Sequence, residues 1–228
     1  MSSERWRKPS AAANAAFRAG ATLVANRQAP RQSCTWQDYF TRSRLIALGL
    51  AALGFTRGDK VAIIGDNRPE LYWSVMAAQA LGGVAVPLYQ DAIERELQYI
   101  VEHAEVRFAI VEDQEQVDKL LHVGAQCPRL GAIVYHEPRG LVRYTEPDLL
   151  SLAQLAQLEE RERAFAQENP SYFDAELAKG SGDDFSVICY TSGTTGAPKG
   201  VMLSHSTRSS MSSRPRSISR SYSMRDQR

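Results

Sequence analysis

No apolar run in this chain approaches the roughly 18 residues of a membrane-spanning helix, and its opening, MSSERWRKPS, lacks the apolar core of a signal peptide. Cysteine is scarce. Cys34, Cys127 and Cys189 are odd in number, widely spaced and without a CxxC pair, which argues against a disulfide framework and a thiolate zinc site. The four histidines, His103, His122, His136 and His205, show no i,i+4 pairing or other metal-ligand spacing. Each reads as a surface or helix-end residue, and no metal site is expected. Charge of one sign is also missing: the net charge of +1 gives the whole chain no preference for nucleic acid or an anionic membrane. These absences leave a soluble, cytoplasmic protein with reduced thiols.

What is present is enough for one substantial domain, with 228 residues and 43% hydrophobic content. Residues 1–32 are rich in Ala, Arg and Ser and read as a loosely ordered lead-in. Order begins at TWQDYF, where Thr35 and Asp38 fit a capping box. Apolar positions from Trp36 to Leu53 recur at helical spacing, and Gly54 stops the helix. Short β-branched runs then start at Val61, Val84, Arg107 and Gly131, with helix-length segments between them. Strands alternating with helices predict βαβ units and a mostly parallel sheet with flanking helices. Continuous apolarity within each strand predicts that both sheet faces are covered. DLLSLAQLAQLEERERAFAQEN, from Asp148, reads as one long helix whose EERER end is a solvated face. In GDNRPE, Asn67 reads as a helix cap before Pro69, and Asp66 and Asn67 follow a strand end. Cys189, inside the strand FSVICYT, reads as a buried small side chain.

The chemistry concentrates in YTSGTTGAPKGVMLSH, Tyr190 to His205. Glycines let a backbone approach an anion and turn its N–H groups inward. Thr191, Ser192, Thr194 and Thr195 add hydroxyl donors, Lys199 adds a charge, and Pro198 stiffens the turn. This composition suits a polyphosphate. It is not a Walker A loop, because Pro198 precedes Lys199 and Gly200 stands where Ser or Thr belongs. It is not a dinucleotide fingerprint or a nucleophile elbow either, since GTTG is not GxGxxG and Tyr190 occupies the elbow's first glycine position. On composition alone, a polar glycine-rich hairpin between two strands stays open beside the phosphate reading.

The same stretch closely resembles the phosphate-binding loop of the adenylate-forming superfamily, which comprises acyl-CoA synthetases, luciferases and peptide-synthetase adenylation domains. GDKVAIIGDNRPELYWSVMAAQALGGVAVPLY is similar to the early part of that family's large domain. YQDAIERELQYIVEHAEVRFAIVEDQEQVDKLL looks most like bacterial long-chain acyl-CoA synthetases. The resemblance runs from about Thr35 to His205 and implies the N-terminal part of an adenylate-forming large domain. It implies an ATP-dependent ligase: a carboxylate attacks the α-phosphorus of ATP, and the thiol of coenzyme A then displaces AMP. Thr191, Ser192, Gly193, Thr194, Thr195, Gly196 and Lys199 would hold the β- and γ-phosphates as positioning groups, so no catalytic residue in the strict sense is assigned to this chain. ATP, magnesium and coenzyme A are the implied cofactors and co-substrates, with a fatty acid as substrate.

The family pattern breaks after His205. Ser206–Arg228 is dominated by serine and arginine and contains a single acidic residue, Asp226. The domain reading is therefore a lead-in over 1–32, a partial AMP-binding domain over 33–205 and a disordered Ser/Arg tail over 206–228. The expectation is a truncated or frameshifted N-terminal fragment, inactive by itself, with magnesium contacts elsewhere and the apolar edge of FSVICY exposed. The alternatives are an adenylate former for an aryl or amino acid, and a noncatalytic fragment whose tail binds RNA.

Overall fold

The structure, a computed structural model, describes residues 34–145, 149–151, 155–191 and 197–213, with backbone alone for 149–151, 155–160 and 211–213. The lead-in over 1–32 lies outside the described residues. Helix α1, Trp36–Ala52, begins at the capping box. The Asp38 N–H donates to Thr35 Oγ1 at 3.0 Å, and the Thr35 N–H donates to Asp38 Oδ2 at 2.9 Å. Gly54, at φ +86°, takes the left-handed conformation that ends the helix.

The alternation then follows as expected: β1 Lys60–Ile64, α2 Pro69–Ala80, β2 Val84–Leu88, α3 Glu94–His103, β3 Val106–Val111, α4 Gln114–Gly124 and β4 Ala132–Tyr135. The single long helix expected from Asp148 is instead a short strand, β5 Leu149–Ser151, followed by α5 Leu155–Glu168. β5 pairs in parallel with β4, Leu149 opposite Ile133. Helix α6 spans Tyr172–Ala178, and β6 Phe185–Thr191 and β7 Lys199–Ser204 precede α7, His205–Ser213.

Described strands form one sheet in the order β5-β4-β3-β1-β2-β6-β7. Neighbours from β5 to β6 are parallel, and β7 alone runs antiparallel, against β6. Side-chain alternation sorts the core into two layers. Val61, Ile63, Phe108 and Ile110 pack with α1 and α2 on one face. Ala62, Ile64, Ala109 and Val111 pack with α3 and α4 on the other. Covering both faces is what the unbroken apolar strands require.

Three expectations need correction. Asn67 does not cap α2: Arg68 holds the N-cap position without a side-chain bond, and Asn67 Oδ1 accepts from the Tyr72 hydroxyl at 2.9 Å. FSVICY is not an exposed edge, because β6 lies between β2 and β7 and the edge strand on that side is β7. Nor does order stop at His205, since α7 takes the first residues of the expected tail as far as Ser213. Ser204 caps that helix, its Oγ accepting from the Thr207 N–H at 3.2 Å, and the Ser206 N–H donates to the Gly182 carbonyl at 2.8 Å. Residues 214–228 lie outside the described ones. Among the described residues no helix is long and apolar enough to cross a membrane.

Candidate phosphate-binding site

The glycine-rich stretch closes a hairpin. Thr191 stands opposite Lys199, Tyr190 opposite Gly200 and Cys189 opposite Val201 in the β6–β7 register. β6 and β7 thus form the stem of a hairpin, and the candidate loop is the segment that joins them. Thr191 and Lys199 are both exposed at its mouth. Ser192, Gly193, Thr194, Thr195 and Gly196 lie outside the described residues, so their contacts are not described. Because β6 runs parallel to β2, Thr191, where β6 ends, lies at the carboxyl end of the parallel strands, where open α/β sheets bind ligands.

Several bonds fix the hairpin's stem. The Gln79 amide of α2 donates to the Ser186 carbonyl at 2.9 Å in a buried contact, and the Ser186 hydroxyl donates to Leu203 O at 3.0 Å. The register shifts between Phe185 and Val187, so Ser186 sits in an irregularity whose exposed backbone polarity its own hydroxyl helps satisfy. The strand's entry is held by Arg57, which donates to Asp184 Oδ2 and to the Glu176 carbonyl, both at 2.9 Å. Cys189 is half-buried rather than fully buried, and that burial pushes its thiol pKa up against the opposing charge of Arg208.

At the loop end of the stem, the Tyr190 ring lies over Gly200. A Cβ at Gly200 would stand 3.1 Å from Tyr190 Cζ and 3.0 Å from Ile188 Cγ2. The Tyr190 hydroxyl and His103 Nδ1 share a hydrogen bond of 2.7 Å. Burial pushes the Tyr190 phenol well above its usual pKa, with a smaller contribution from Tyr99, so the ring is a neutral phenol. His103 is a helix-end residue as expected, but its contact with Tyr190 was not foreseen. No local spacing signals it, since the partners are 87 positions apart.

After β1 and β3, polar side chains bond to one another and to the backbone. Glu112 accepts the Asp66 N–H at 2.6 Å and Arg68 Nε at 2.8 Å. Asp66 Oδ1 accepts from Gln90 at 3.0 Å. Among the other histidines, His122 lies 3.4 Å from Glu94 and His136 lies 3.7 Å from Glu70. Among the described residues no group of three or more His, Cys, Asp or Glu could hold a metal ion.

The family model for AMP-binding enzyme matches residues 11–224. The long-chain-fatty-acid–CoA ligase ACSBG1 of Rattus norvegicus is 31% identical over 170 residues, 75% of this chain and 22% of that protein. Its Homo sapiens counterpart is 31% identical over 178 residues, 78% of this chain and 24% of that protein. The chain thus spans about a quarter of the length of the curated relatives it matches. Among solved structures, the anthranilate CoA ligase AuaEII shares the fold at TM-score 0.63 and 24% identity, over 82% of this chain and 32% of that one. The Mycobacterium tuberculosis fatty acyl CoA synthetase aligns at TM-score 0.55 and 26% identity, over 77% of this chain and 30% of that one. The family match covers nearly the whole chain, and the chain belongs to the AMP-binding enzyme family.

Proposed function

We propose that Thr191–Lys199 is the polyphosphate grip of an ATP-dependent acyl-CoA ligase whose acid is a fatty acid. The observation that carries the reading is the hairpin register, which sets Thr191 and Lys199 opposite each other around a glycine- and hydroxyl-rich turn. Ser192, Gly193, Thr194, Thr195 and Gly196 supply that turn's N–H and hydroxyl donors. The choice of a fatty acid rests on the curated relatives named above; the likeness to the anthranilate ligase concerns the fold alone.

In the proposed reaction a carboxylate oxygen bonds to the α-phosphorus of ATP while the bond from that phosphorus to the β-bridging oxygen breaks, releasing pyrophosphate. The sulfur of coenzyme A then bonds to the acyl carbon, AMP leaves and the thiol proton is lost to solvent. This chain's residues enter the first step only. They hold the β- and γ-phosphates, neutralise charge gathering on the departing pyrophosphate and keep the chain of phosphates in one orientation. Among the described residues no group of three or more His, Cys, Asp or Glu could hold a metal ion, and no step is routed through magnesium.

Equilibrium binding of ATP to the 228-residue chain tests the grip. A charge-assisted hydrogen bond contributes about 1.5–3 kcal/mol, so Lys199→Ala should weaken ATP by about tenfold or more. Gly196→Val should weaken it further by blocking backbone approach. Equal affinity in all three chains would reduce the loop to a plain hairpin. The reading also holds that these 228 residues alone do not complete acyl transfer. The grip proposed here reaches the β- and γ-phosphates and not the α-phosphorus, and orienting the reacting atoms can supply about 7–11 kcal/mol of a barrier. With ATP, magnesium, palmitate and coenzyme A, thioester formation above a Lys199→Ala control would overturn that part.

A further inference from the structure

We propose that His103 is a positioning residue for the phosphate loop, acting through Tyr190; the inference rests on the phosphate reading of Thr191–Lys199. Tyr190 is the last residue before that loop, and its phenol is bonded to His103 Nδ1 at 2.7 Å. His103 is itself held: it closes α3 and stacks on Tyr99, one helical turn earlier, with ring centroids 5.2 Å apart and planes 20° apart. Across the hairpin, Gly200 leaves room for the Tyr190 ring, which a side chain there would displace.

The sheet explains why this end of the stem needs such a tie. β6 pairs with β2 only at Ala85↔Val187, near the start of both strands. Further along β2 stands Pro87, which has no N–H to donate, so the ladder on that side cannot be continued through it. On its other side β6 has only β7, the edge strand. Tyr190 lies beyond Val187, where backbone pairing to the interior of the sheet has stopped, and its side chain takes over that role by reaching α3. A glycine-rich loop has much conformational freedom to lose on gripping a ligand, and a fixed stem lowers that loss. His103 and Tyr190 thus prepare the loop without touching phosphate.

The experiment uses the 228-residue chain with inorganic pyrophosphate as probe, and amide hydrogen exchange across Tyr190–Gly200 without ligand. Tyr190→Phe and His103→Ala should each weaken pyrophosphate about three- to tenfold, the range of one neutral hydrogen bond. Each should speed exchange at the loop base by a similar factor, and the double variant should add little. His103→Asn, whose amide can stand where Nδ1 stands, should recover most of both effects. Tyr72→Phe, which removes a phenol bonded to Asn67, should change neither. Unaltered exchange and affinity in Tyr190→Phe and His103→Ala would overturn the inference while leaving the phosphate reading intact. So would faster exchange spread evenly over β3 and α3, or no recovery in His103→Asn. Failure of the unaltered chain to bind pyrophosphate would overturn the phosphate reading, and the inference with it.

Discussion

Replacing Gly200 by alanine adds one methyl group at the tightest point of the hairpin stem. The new Cβ would lie 3.0 Å from Ile188 Cγ2, 3.1 Å from Tyr190 Cζ and 3.3 Å from the Tyr190 hydroxyl oxygen. Carbon atoms in contact prefer about 3.5–4.0 Å, so a neighbour must give by several tenths of an ångström. Ile188 is fully buried and has nowhere to go. Tyr190 can swing outward, but only by stretching its bond to His103. Overpacking of this kind costs about 1–3 kcal/mol, and loss of the hydrogen bond about 1 kcal/mol. Against this stands the reduced freedom of the unfolded chain, about 0.4–1 kcal/mol in favour of alanine. The net expectation is a destabilisation of about 1–3.5 kcal/mol. Gly124→Ala is the matched contrast: it ends α4 with nothing within 4 Å of the added carbon, so only the favourable contribution remains. Urea unfolding of both variants measures the difference. With a slope of about 2 kcal/mol per molar, the Gly200→Ala midpoint should fall by about 0.5–1.8 M while that of Gly124→Ala rises. A Gly200→Ala midpoint at or above that of the unaltered chain would refute the packing argument.

Burial, with smaller contributions from Cys34 and Tyr72, raises the Tyr39 phenol to about 12 from its usual 10. The unfolded chain then releases this proton first, so stability is full below pH 10 and falls as pH climbs towards 12; Tyr39→Phe should flatten that alkaline loss in urea midpoints taken from pH 8 to 12. Glu112→Ala strands the Asp66 N–H and frees Arg68, and unfolding should become easier by about 1–3 kcal/mol, with Glu112→Gln intermediate. Thr35→Ala removes the capping box of α1 and should cost about 1 kcal/mol in the same assay, whereas Thr35→Ser should restore it.

The parallel core was legible because burial on both faces leaves an unmistakable mark. Val61–Ile64 and Phe108–Val111 are apolar at every position, and only a strand sandwiched between helix layers needs that. The capping box at Thr35 and the stop at Gly54 were legible for a different reason, since each is a local device completed within a few residues. β5 was hidden because Leu149, Leu152, Leu155 and Leu158 share a spacing that suits a helix, while strand pairing with Ile133 depends on a partner that local periodicity cannot show. The alternative of a helix from Asp148 would have left β4 at the edge of the sheet.

The loop itself was readable as a composition, and its placement was not. Hydroxyls, glycines and Lys199 leave a phosphate loop and a plain hairpin both open, and the register that sets Thr191 against Lys199 exists only once β6 and β7 pair. The His103–Tyr190 bond lies one step further from the sequence, since it needs the hairpin and the end of α3 at once. Ser204 shows the opposite case, a local signal passed over. Counted as an N-cap before HST, with its hydroxyl accepting the Thr207 N–H, it marks the start of α7 even though the serine- and arginine-rich composition beyond it argues against any helix. The capping bond is settled within four residues, so at a helix start it outweighs what the average composition of the following segment suggests.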